Sequence, residues 1–289
     1  MEVAIKKLLT MEKEADILAM LKHENIIEFY GTCYKLAQRD YSLIIELAPY
    51  GSLYSFLQSP DAEKMNSSVL LNWSRHIARG VQYLHNEAPC KVIHRDLKSK
   101  NVVISSDHTL KLCDFGASRF MAQTQTMTLV GTFPWMAPEV IQGLKSNESC
   151  DIYSFGVLMW EMLTKEVPFK GQGFILVTTN VNVHYKTHFT GMEGFQVAWM
   201  VVEKRQRPPI PESAPDAIRN LITSCWEHDP KKRQDVGSVI KVLDKLNSDP
   251  ELEREANQFM LEKDDWEDEY EDLMDSLRTE QHSSVSDVI

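Results

Sequence analysis

The stretch IHRDLKSKNVVI, residues 93–104, constrains the fold more than any other part of the 289-residue chain. It gathers basic and acidic side chains in one loop between apolar runs, and alone such a loop could be a surface turn. Strand-like segments at Val102–Ile104 and Leu110–Cys113 predict a short hairpin after the loop. The polar motif Asp114-Phe115-Gly116 follows this hairpin, and the regular order argues for more than a turn.

The composition is typical of a globular protein, with 43% hydrophobic and 25% charged residues. The chain has no apolar run of about eighteen residues, so the sequence predicts no membrane span. The five cysteines have no paired spacing. This favours reduced thiols of a cytoplasmic protein over a disulfide framework or a zinc site.

The net charge of −11 is concentrated at the C-terminal end. Residues 251–289 hold 14 acidic and 3 basic residues, whereas residues 1–250 hold 28 of each. The neutral body gives no reason to expect nucleic acid binding, and the acidic tail would repel a phosphate backbone.

The hydrophobic pattern divides the chain into a strand-rich part, residues 1–48, and a helical part, residues 49–248. Predicted strands cover residues 1–8, Ile26–Tyr30 and Leu43–Leu47, and Thr10 is the predicted N-cap of a helix that buries Ala15, Leu18 and Leu21. Predicted helices of the second part cover residues 70–84, 152–163, 195–204, 214–227 and 235–247. The segment Ile152–Leu163 is apolar on every side, as in a helix buried in a core.

Residues 249–289 form an acidic tail that is predicted to be helical. Heptad-like spacing of apolar residues makes the tail a candidate for the start of a leucine zipper: Phe259, Trp266, Tyr270, Leu273 and Leu277. The alternative is one amphipathic helix that docks on the body or stays solvated.

Further motifs follow the polar loop in a fixed order. They are Trp135-Met136-Ala137-Pro138-Glu139 and the segment 151–156, DIYSFG, while Val3-Ala4-Ile5-Lys6 opens the chain. Together with the loop and Asp114 they resemble a protein kinase domain over about residues 2–247. The resemblance implies an α+β, bilobal fold with an incomplete small β-rich N-lobe and a larger helical C-lobe.

The resemblance implies a catalytic role for the polar loop. Asp96 is expected to accept the proton of the substrate hydroxyl, and Lys98 to neutralise the γ-phosphate as in serine/threonine kinases. Asn101 and Asp114 are the expected ligands of Mg²⁺, which prefers oxygen donors.

The N-lobe is expected to hold the rest of the ATP. Lys6 would contact the α and β phosphates, and Glu14 would pair with Lys6, with Glu12 and Asp16 as the competing acids. Residues 43–48 resemble the strand and hinge that bind adenine, which assigns nucleotide contacts to Glu46 and Ala48. Ile45 would guard the back of the pocket.

Other positions match the architecture of the family. Leu18, Phe29, His94 and Phe115 are expected to form an apolar spine, so His94 is predicted to be packed rather than a base. Asp151 is expected to hold the catalytic-loop backbone, and Glu139 to pair with Arg233 in the helical lobe.

Residues 117–134 correspond to the activation loop. Thr124 and Thr128 are the candidate phosphorylation sites, with Arg95 as the partner of the phosphate; unmodified surface threonines are the alternative. Thr132 is expected to be structural.

Within the kinases, the motifs resemble the mixed-lineage group of MAP kinase kinase kinases, and most closely the ZAK type, which carries a leucine zipper and a SAM domain after the kinase. The resemblance implies a serine/threonine kinase of a stress-activated MAP kinase cascade that phosphorylates MAP kinase kinases. It also implies a possible homodimer through the zipper region and a cytoplasmic location, with the nucleus as a further compartment.

Two departures from the family pattern remain. No G-x-G-x-x-G motif precedes Lys6, so we expect a fragment or a mispredicted start rather than a lineage that lost the loop. One sheet edge and an apolar face would then be exposed. About twenty extra residues, 172–193, separate PFKG from GFQVAW, either as a surface insertion or as an unspliced stretch. Because the glycine-rich loop is absent, the alternative function is a catalytically inactive fragment or interaction module. A tyrosine kinase is a third possibility, and Lys98 and Thr132 argue against it.

Overall fold

A computed structural model describes residues 2–8, 13–35, 40–121, 133–170 and 193–261 of the chain. A small strand-rich lobe is followed by a larger helical lobe, as the sequence predicted. In these ranges no helix has the length and apolar character needed to cross a membrane.

The small lobe is built on a three-stranded antiparallel sheet. Strands β1 (Val3–Leu8), β2 (Phe29–Lys35) and β3 (Asp40–Glu46) lie in the order β1-β3-β2. The register pairs Lys6 with Leu43. Strand β1 pairs only with β3 among the described residues, and Ile5 on β1 is 68% exposed, in line with the expected open edge.

Helix α1 (Lys13–Met20) packs against this sheet. Ala15 and Leu18 on α1, and Leu21 just after it, are buried, which is the apolar face that the sequence predicted. The proposed cap Thr10 lies outside the described residues. Because Glu14 lies one turn before Ile17 and Leu18 on the same helical face, packing of this face also turns Glu14 toward the interior, where it is buried.

The predicted strand Ile26–Tyr30 was wrong in position. Ile26 and Ile27 are buried, but they dock on Leu112 of the helical lobe through a single bridge and a backbone bond from Ile27 N to Leu112 O of 2.9 Å. The strand begins only at Phe29. Ile26 and Ile27 are apolar because they are buried between the lobes. The spacing of apolar residues alone does not distinguish such burial from a strand.

The helical lobe begins after the linker that follows β3. Its described helices are α2 (Leu53–Leu57), α3 (Ser67–Gln82), α4 (Pro138–Ile141), α5 (Ser149–Thr164), α6 (Glu193–Val202), α7 (Asp216–Cys225), α8 (Val236–Asn247) and α9 (Pro250–Leu261). Short strands β4 (Val92–Ile93), β5 (Val102–Ile104), β6 (Leu110–Leu112) and β7 (Arg119–Phe120) form two antiparallel pairs, β4 with β7 and β5 with β6.

Helix α5 is the centre of the core. All its residues from Cys150 to Thr164 are buried, as the apolar pattern predicted. Gly156 allows the close approach of α7, because a Cβ there would lie 2.8 Å from Cys225 Cβ. This rigid helix therefore also places the acids Asp151 and Glu161 in the interior.

The first part of the acidic tail folds as α9 and docks on the lobe. Asn257 Oδ1 accepts hydrogen bonds from Ser67 N at 2.9 Å and from Ser67 Oγ at 2.7 Å, and Phe259 is buried. The first apolar heptad position therefore packs against the body. Trp266, Tyr270, Leu273 and Leu277 lie outside the described residues, and so does the insertion up to residue 192.

Candidate active site

One ammonium group joins the two lobes. Lys6 Nζ on β1 lies 2.7 Å from Glu14 Oε1 and 2.8 Å from Asp114 Oδ1. Glu14 Oε1 also accepts a hydrogen bond of 3.2 Å from the backbone N–H of Phe115. Of the three acids weighed for this role, the structure thus brings Glu14 to Lys6, while Asp16 is exposed and Glu12 lies outside the described residues.

The ion pairs dominate the electrostatics of this cluster. Burial alone would lower the pKa of Lys6, but the bonds to Asp114 and Glu14 outweigh it, so the pKa is raised. Burial would raise the pKa of Asp114, but the bond and charge of Lys6 lower it. Both groups are therefore held in their charged forms at neutral pH.

The β5–β6 hairpin places Asn101 beside Asp114. Val102 pairs with Leu112, and Cys113 N donates to Asn101 O at 2.9 Å, so Asn101 and Asp114 lie at the same end of the hairpin. Asp114 adopts a left-handed backbone with φ of 62°, and its side chain accepts from Gly116 N. This unusual backbone turns the chain sharply directly after the hairpin.

The loop before the hairpin holds Asp96 with two donors. Lys98 Nζ lies 3.0 Å from Asp96 Oδ1 and 2.8 Å from Asp96 Oδ2. Asn101 Nδ2 donates to Asp96 Oδ2 and to the Asp96 carbonyl, both at 2.8 Å. The contacts form a continuous path from Lys6 through Asp114 and the hairpin to Asn101, Asp96 and Lys98.

The donor set at the hairpin end suits a hard divalent cation. Asn101 uses its amide nitrogen for Asp96, which leaves its oxygen for another partner, and Asp114 Oδ2 has no hydrogen bond among the described residues. The described ranges contain no group of three or more His, Cys, Asp or Glu side chains able to hold a metal alone. Two protein oxygens completed by phosphate oxygens are a common arrangement for such a cation.

The stretch that contains this geometry matches a known family. The model described as protein tyrosine and serine/threonine kinase matches residues 1–243. The chain belongs to this kinase family. Kinases of this family use ATP with a divalent metal ion, which agrees with the donor set at Asn101 and Asp114.

Several relatives of this chain are named mitogen-activated protein kinase kinase kinases. The chain is 36% identical to mitogen-activated protein kinase kinase kinase zak-1 of Caenorhabditis elegans over 279 residues, which are 93% of this chain and 34% of that protein. It is 34% identical to mitogen-activated protein kinase kinase kinase 10 of Mus musculus, over 94% of this chain and 27% of that protein. It is 35% identical to mitogen-activated protein kinase kinase kinase 11 of Homo sapiens, over 94% and 30%. The chain thus spans about a third of the length of these relatives.

The segment from Glu46 to Ala48, the predicted hinge, contains a backbone N–H without a hydrogen bond among the described residues. The Glu46 side chain pairs with Lys111 at 2.9 Å, and Glu46 N donates to Glu28 O. Ala48 O accepts from Gly51 N, whereas no hydrogen bond among the described residues uses Ala48 N–H. Glu46 and Ala48 both lie where β3 leads into the linker, and adenine contacts there remain a prediction.

The carboxylate of Asp151 on α5 binds the backbone of the catalytic loop. It accepts from the backbone N–H groups of His94 at 2.8 Å and Arg95 at 2.7 Å, and lies 2.8 Å from His85 Nε2. Burial would raise the pKa of Asp151, but the bond to His85 and the other donors lower it. The ring of His94 is buried against Phe115, with ring centroids 5.0 Å apart, in a packing position.

Glu139 and Arg233 form the buried ion pair that the sequence predicted. Arg233 Nη1 lies 2.7 Å from Glu139 Oε1, and Nη2 lies 2.8 Å from Oε2. Such two-point pairing suits a planar guanidinium. The pair fixes α4, which carries Glu139, to the segment before α8, which carries Arg233.

The candidate phosphorylation sites Thr124 and Thr128 lie outside the described residues, as does Thr132. Their expected partner, Arg95, is buried with φ of 69°. Its Nε has no hydrogen-bond partner in the described part of the chain, and Nη1 reaches only Ala117 O at 3.5 Å. Burial and the nearby Arg119 lower the pKa of Arg95, and the charge of Asp151 offsets this only in part.

Sequence reasoning missed a buried carboxyl beneath the catalytic loop. Glu161 Oε1 accepts from Ser99 Oγ at 2.5 Å, and Glu161 Oε2 accepts from Trp135 Nε1 at 3.0 Å. Burial raises the pKa of Glu161 to about 7 although both donors oppose the shift. The signal was an acid in the segment Ile152–Leu163, which is otherwise almost entirely apolar, because a buried acid needs donors from elsewhere.

Proposed function

We propose that this chain is the catalytic domain of a serine/threonine kinase that transfers the γ-phosphate of ATP, with Mg²⁺, to MAP kinase kinases. The observation that carries the proposal is the connected path of Lys6, Asp114, Asn101, Asp96 and Lys98. The names of the relatives support MAP kinase kinases as the substrate class.

The residues divide the work of phosphoryl transfer. Asp96 lies ready to take the proton of the attacking hydroxyl, with its carboxylate oriented by Lys98 and Asn101. Lys6, fixed by Glu14, supplies positive charge for phosphates, and Lys98 supplies it near the reacting group. The metal ion, held by Asn101 and Asp114, would neutralise charge on the phosphate oxygens.

Lys98 supports serine or threonine as the acceptor. It lies two residues after Asp96 and contacts both oxygens of that carboxylate, so the cation and the proposed base lie next to the same acceptor hydroxyl. This lysine is the feature by which the sequence resembles serine/threonine kinases.

The test is phosphate transfer from radiolabelled ATP to a purified MAP kinase kinase, followed by identification of the modified residue. We expect label on serine or threonine with the wild-type protein and none above background with Asp96→Asn. An exposed-lysine variant, Lys231→Met, is the matched control and should transfer at the wild-type rate. Label on tyrosine, or no label with folded wild-type protein, would refute the proposal.

We further propose that phosphorylation of Thr124 or Thr128 activates the kinase through Arg95. The buried, weakly bonded guanidinium of Arg95 supports this, since a phosphate supplies the missing acceptors. Mass spectrometry of the active protein should find phosphate at one of these threonines. If neither threonine is modified while activity is full, this part of the proposal is wrong.

We also propose a homodimer through the tail and a cytoplasmic location. Heptad-type spacing of Trp266, Tyr270, Leu273 and Leu277 supports the first, and the described cysteines, which are all free thiols, support the second. Light scattering should give a dimer for the full chain and a monomer for a chain ending at Leu261. Cell fractionation tests the location, and recovery in a secreted fraction would contradict it.

A further inference from the structure

An exposed lysine lies inside the catalytic loop. Lys100 belongs to the turn Ser99–Asn101, one residue before the proposed metal ligand Asn101 and four after Asp96. Its ammonium lies 4.6 Å from the centroid of the Tyr54 ring on α2. The aromatic face holds the cation in one place at the surface, because a ring attracts a cation over its face.

Lys100 makes no ion pair among the described residues. In the same loop Lys98 contacts Asp96 and the Arg95 side chain is buried, whereas Lys100 is exposed. An exposed cation that a ring holds in place and that has no ion-pair partner among the described residues is suited to receive an anion from another molecule.

Glu161, the buried acid bonded to Ser99 of this turn, is not accessible to a basic substrate residue. Both carboxyl oxygens of Glu161 are occupied, Oε1 by Ser99 and Oε2 by Trp135, and the side chain is fully buried. At the surface beside the proposed acceptor site the ammonium of Lys100 is therefore exposed, whereas the carboxyl of Glu161 is not.

We propose that Lys100 is a specificity-determining residue that selects substrates with an anionic side chain flanking the acceptor serine or threonine. The anion is a carboxylate or a phosphate that was added beforehand. This inference rests on the proposed kinase function and deepens it by naming the substrate class.

The experiment compares peptides with one acceptor in an alanine background. Each flanking position carries in turn glutamate, phosphoserine, arginine or alanine, and kcat/KM is measured with the 289-residue protein. We expect glutamate or phosphoserine at one position to raise kcat/KM by roughly two- to fivefold over alanine, the range for an exposed ion pair, and arginine to lower it. The two anionic arms show which of the two sources is preferred.

Variants at Lys100 decide whether this residue reads the charge. Lys100→Arg should keep the ratio of glutamate to alanine peptides, Lys100→Ala should reduce it to about one, and Lys100→Glu should invert it in favour of arginine. Lys231→Glu, a charge reversal at an exposed lysine of another turn, should leave the ratio at the wild-type value. An unchanged preference in Lys100→Glu would overturn the inference.

A binding measurement separates the failure of this inference from failure of the proposed function. Peptides whose acceptor is replaced by alanine are titrated by fluorescence anisotropy, which needs no catalysis. Tighter binding of the acidic peptide that is lost in Lys100→Glu supports the inference even if no phosphate is transferred. Phosphate transfer without any charge preference in binding or kcat/KM would overturn the inference and leave the kinase function standing.

Discussion

Lys6 Nζ contacts Glu14 Oε1 at 2.7 Å and Asp114 Oδ1 at 2.8 Å, so one ammonium group ties α1 of the small lobe to the hairpin end of the large lobe. The contact requires α1 to lie with its buried face toward the sheet. In the kinase family this pairing of lysine and glutamate accompanies the active state. The position of Lys6 is therefore set by the packing of α1 as well as by its own strand.

The first prediction concerns Glu14. Glu14→Gln keeps the size of the side chain but removes the charge that fixes Lys6, so we expect the rate of phosphate transfer to fall roughly tenfold to a hundredfold. Asp16→Asn, on the exposed face of the same helix, is the matched control and should keep the wild-type rate. Equal rates for the two variants would show that Glu14 does not orient Lys6.

The second prediction separates chemistry from nucleotide binding. Asp96→Asn removes the proposed base, so kcat should fall by roughly 10²- to 10⁴-fold. The nucleotide affinity should change little, because Lys6 and Asp114 do not contact Asp96 directly. Steady-state kinetics and calorimetric titration with ATP measure the two quantities. A large loss of affinity with unchanged kcat would contradict the assignment.

The third prediction concerns the buried pair of Glu139 and Arg233. Arg233→Met leaves the Glu139 carboxylate buried without its partner and should lower the free energy of unfolding by about 3–5 kcal/mol. The double variant Glu139→Leu/Arg233→Met should lose less than the sum of the single losses. Urea unfolding measures all the values. The exposed pair Asp216 and Arg219 is the control, since Asp216→Ala should cost at most about 1 kcal/mol.

The fourth prediction follows from the raised pKa of Glu161, which is about 7. In the unfolded chain a glutamate titrates near its ordinary pKa of about 4.3, so the folded state binds the extra proton between these values. Stability should therefore be highest below about pH 4.3 with respect to this group and should fall by about 3 kcal/mol as the pH rises to about 7. The comparison of wild type with Glu161→Gln isolates this contribution.

Glu161→Gln cannot titrate, so its urea-derived free energy of unfolding should lack this part of the pH dependence. The difference in the free energy of unfolding between wild type and Glu161→Gln should change from pH 5 to pH 7 and stay nearly constant at higher pH. Parallel curves over this range would mean that Glu161 keeps an ordinary pKa in the folded protein.

Much of the site could be predicted because its residues lie in short motifs. Asp96, Lys98 and Asn101 share one loop, and a hairpin of local contacts brings Asp114 to the same end. The resemblance to kinases favoured Glu14 over Glu12 and Asp16 as the partner of Lys6. In each case the order of the motifs and their resemblance to kinases were enough to name the side chain.

The contacts that sequence reasoning missed join distant parts of the chain. His85 meets Asp151, and Glu161 meets both Ser99 and Trp135, only because α5 crosses beneath the loop. The strand predicted at Ile26 failed for a related reason, since burial against Leu112 gives the same apolar signal as a sheet. Tertiary packing determines both the contacts of α5 and the burial of Ile26. The local spacing of apolar residues carries no information about such packing.

The most direct test of the account is nucleotide affinity as a function of Mg²⁺. The affinity of the wild-type protein for a non-hydrolysable ATP analogue is measured by calorimetry with and without Mg²⁺, and compared with that of Asp114→Asn. The account predicts that Mg²⁺ tightens binding at least about tenfold in the wild type and has little effect in Asp114→Asn, which lacks one charged ligand. Wild-type affinity that is unchanged by Mg²⁺, or a full Mg²⁺ effect in Asp114→Asn, would contradict it.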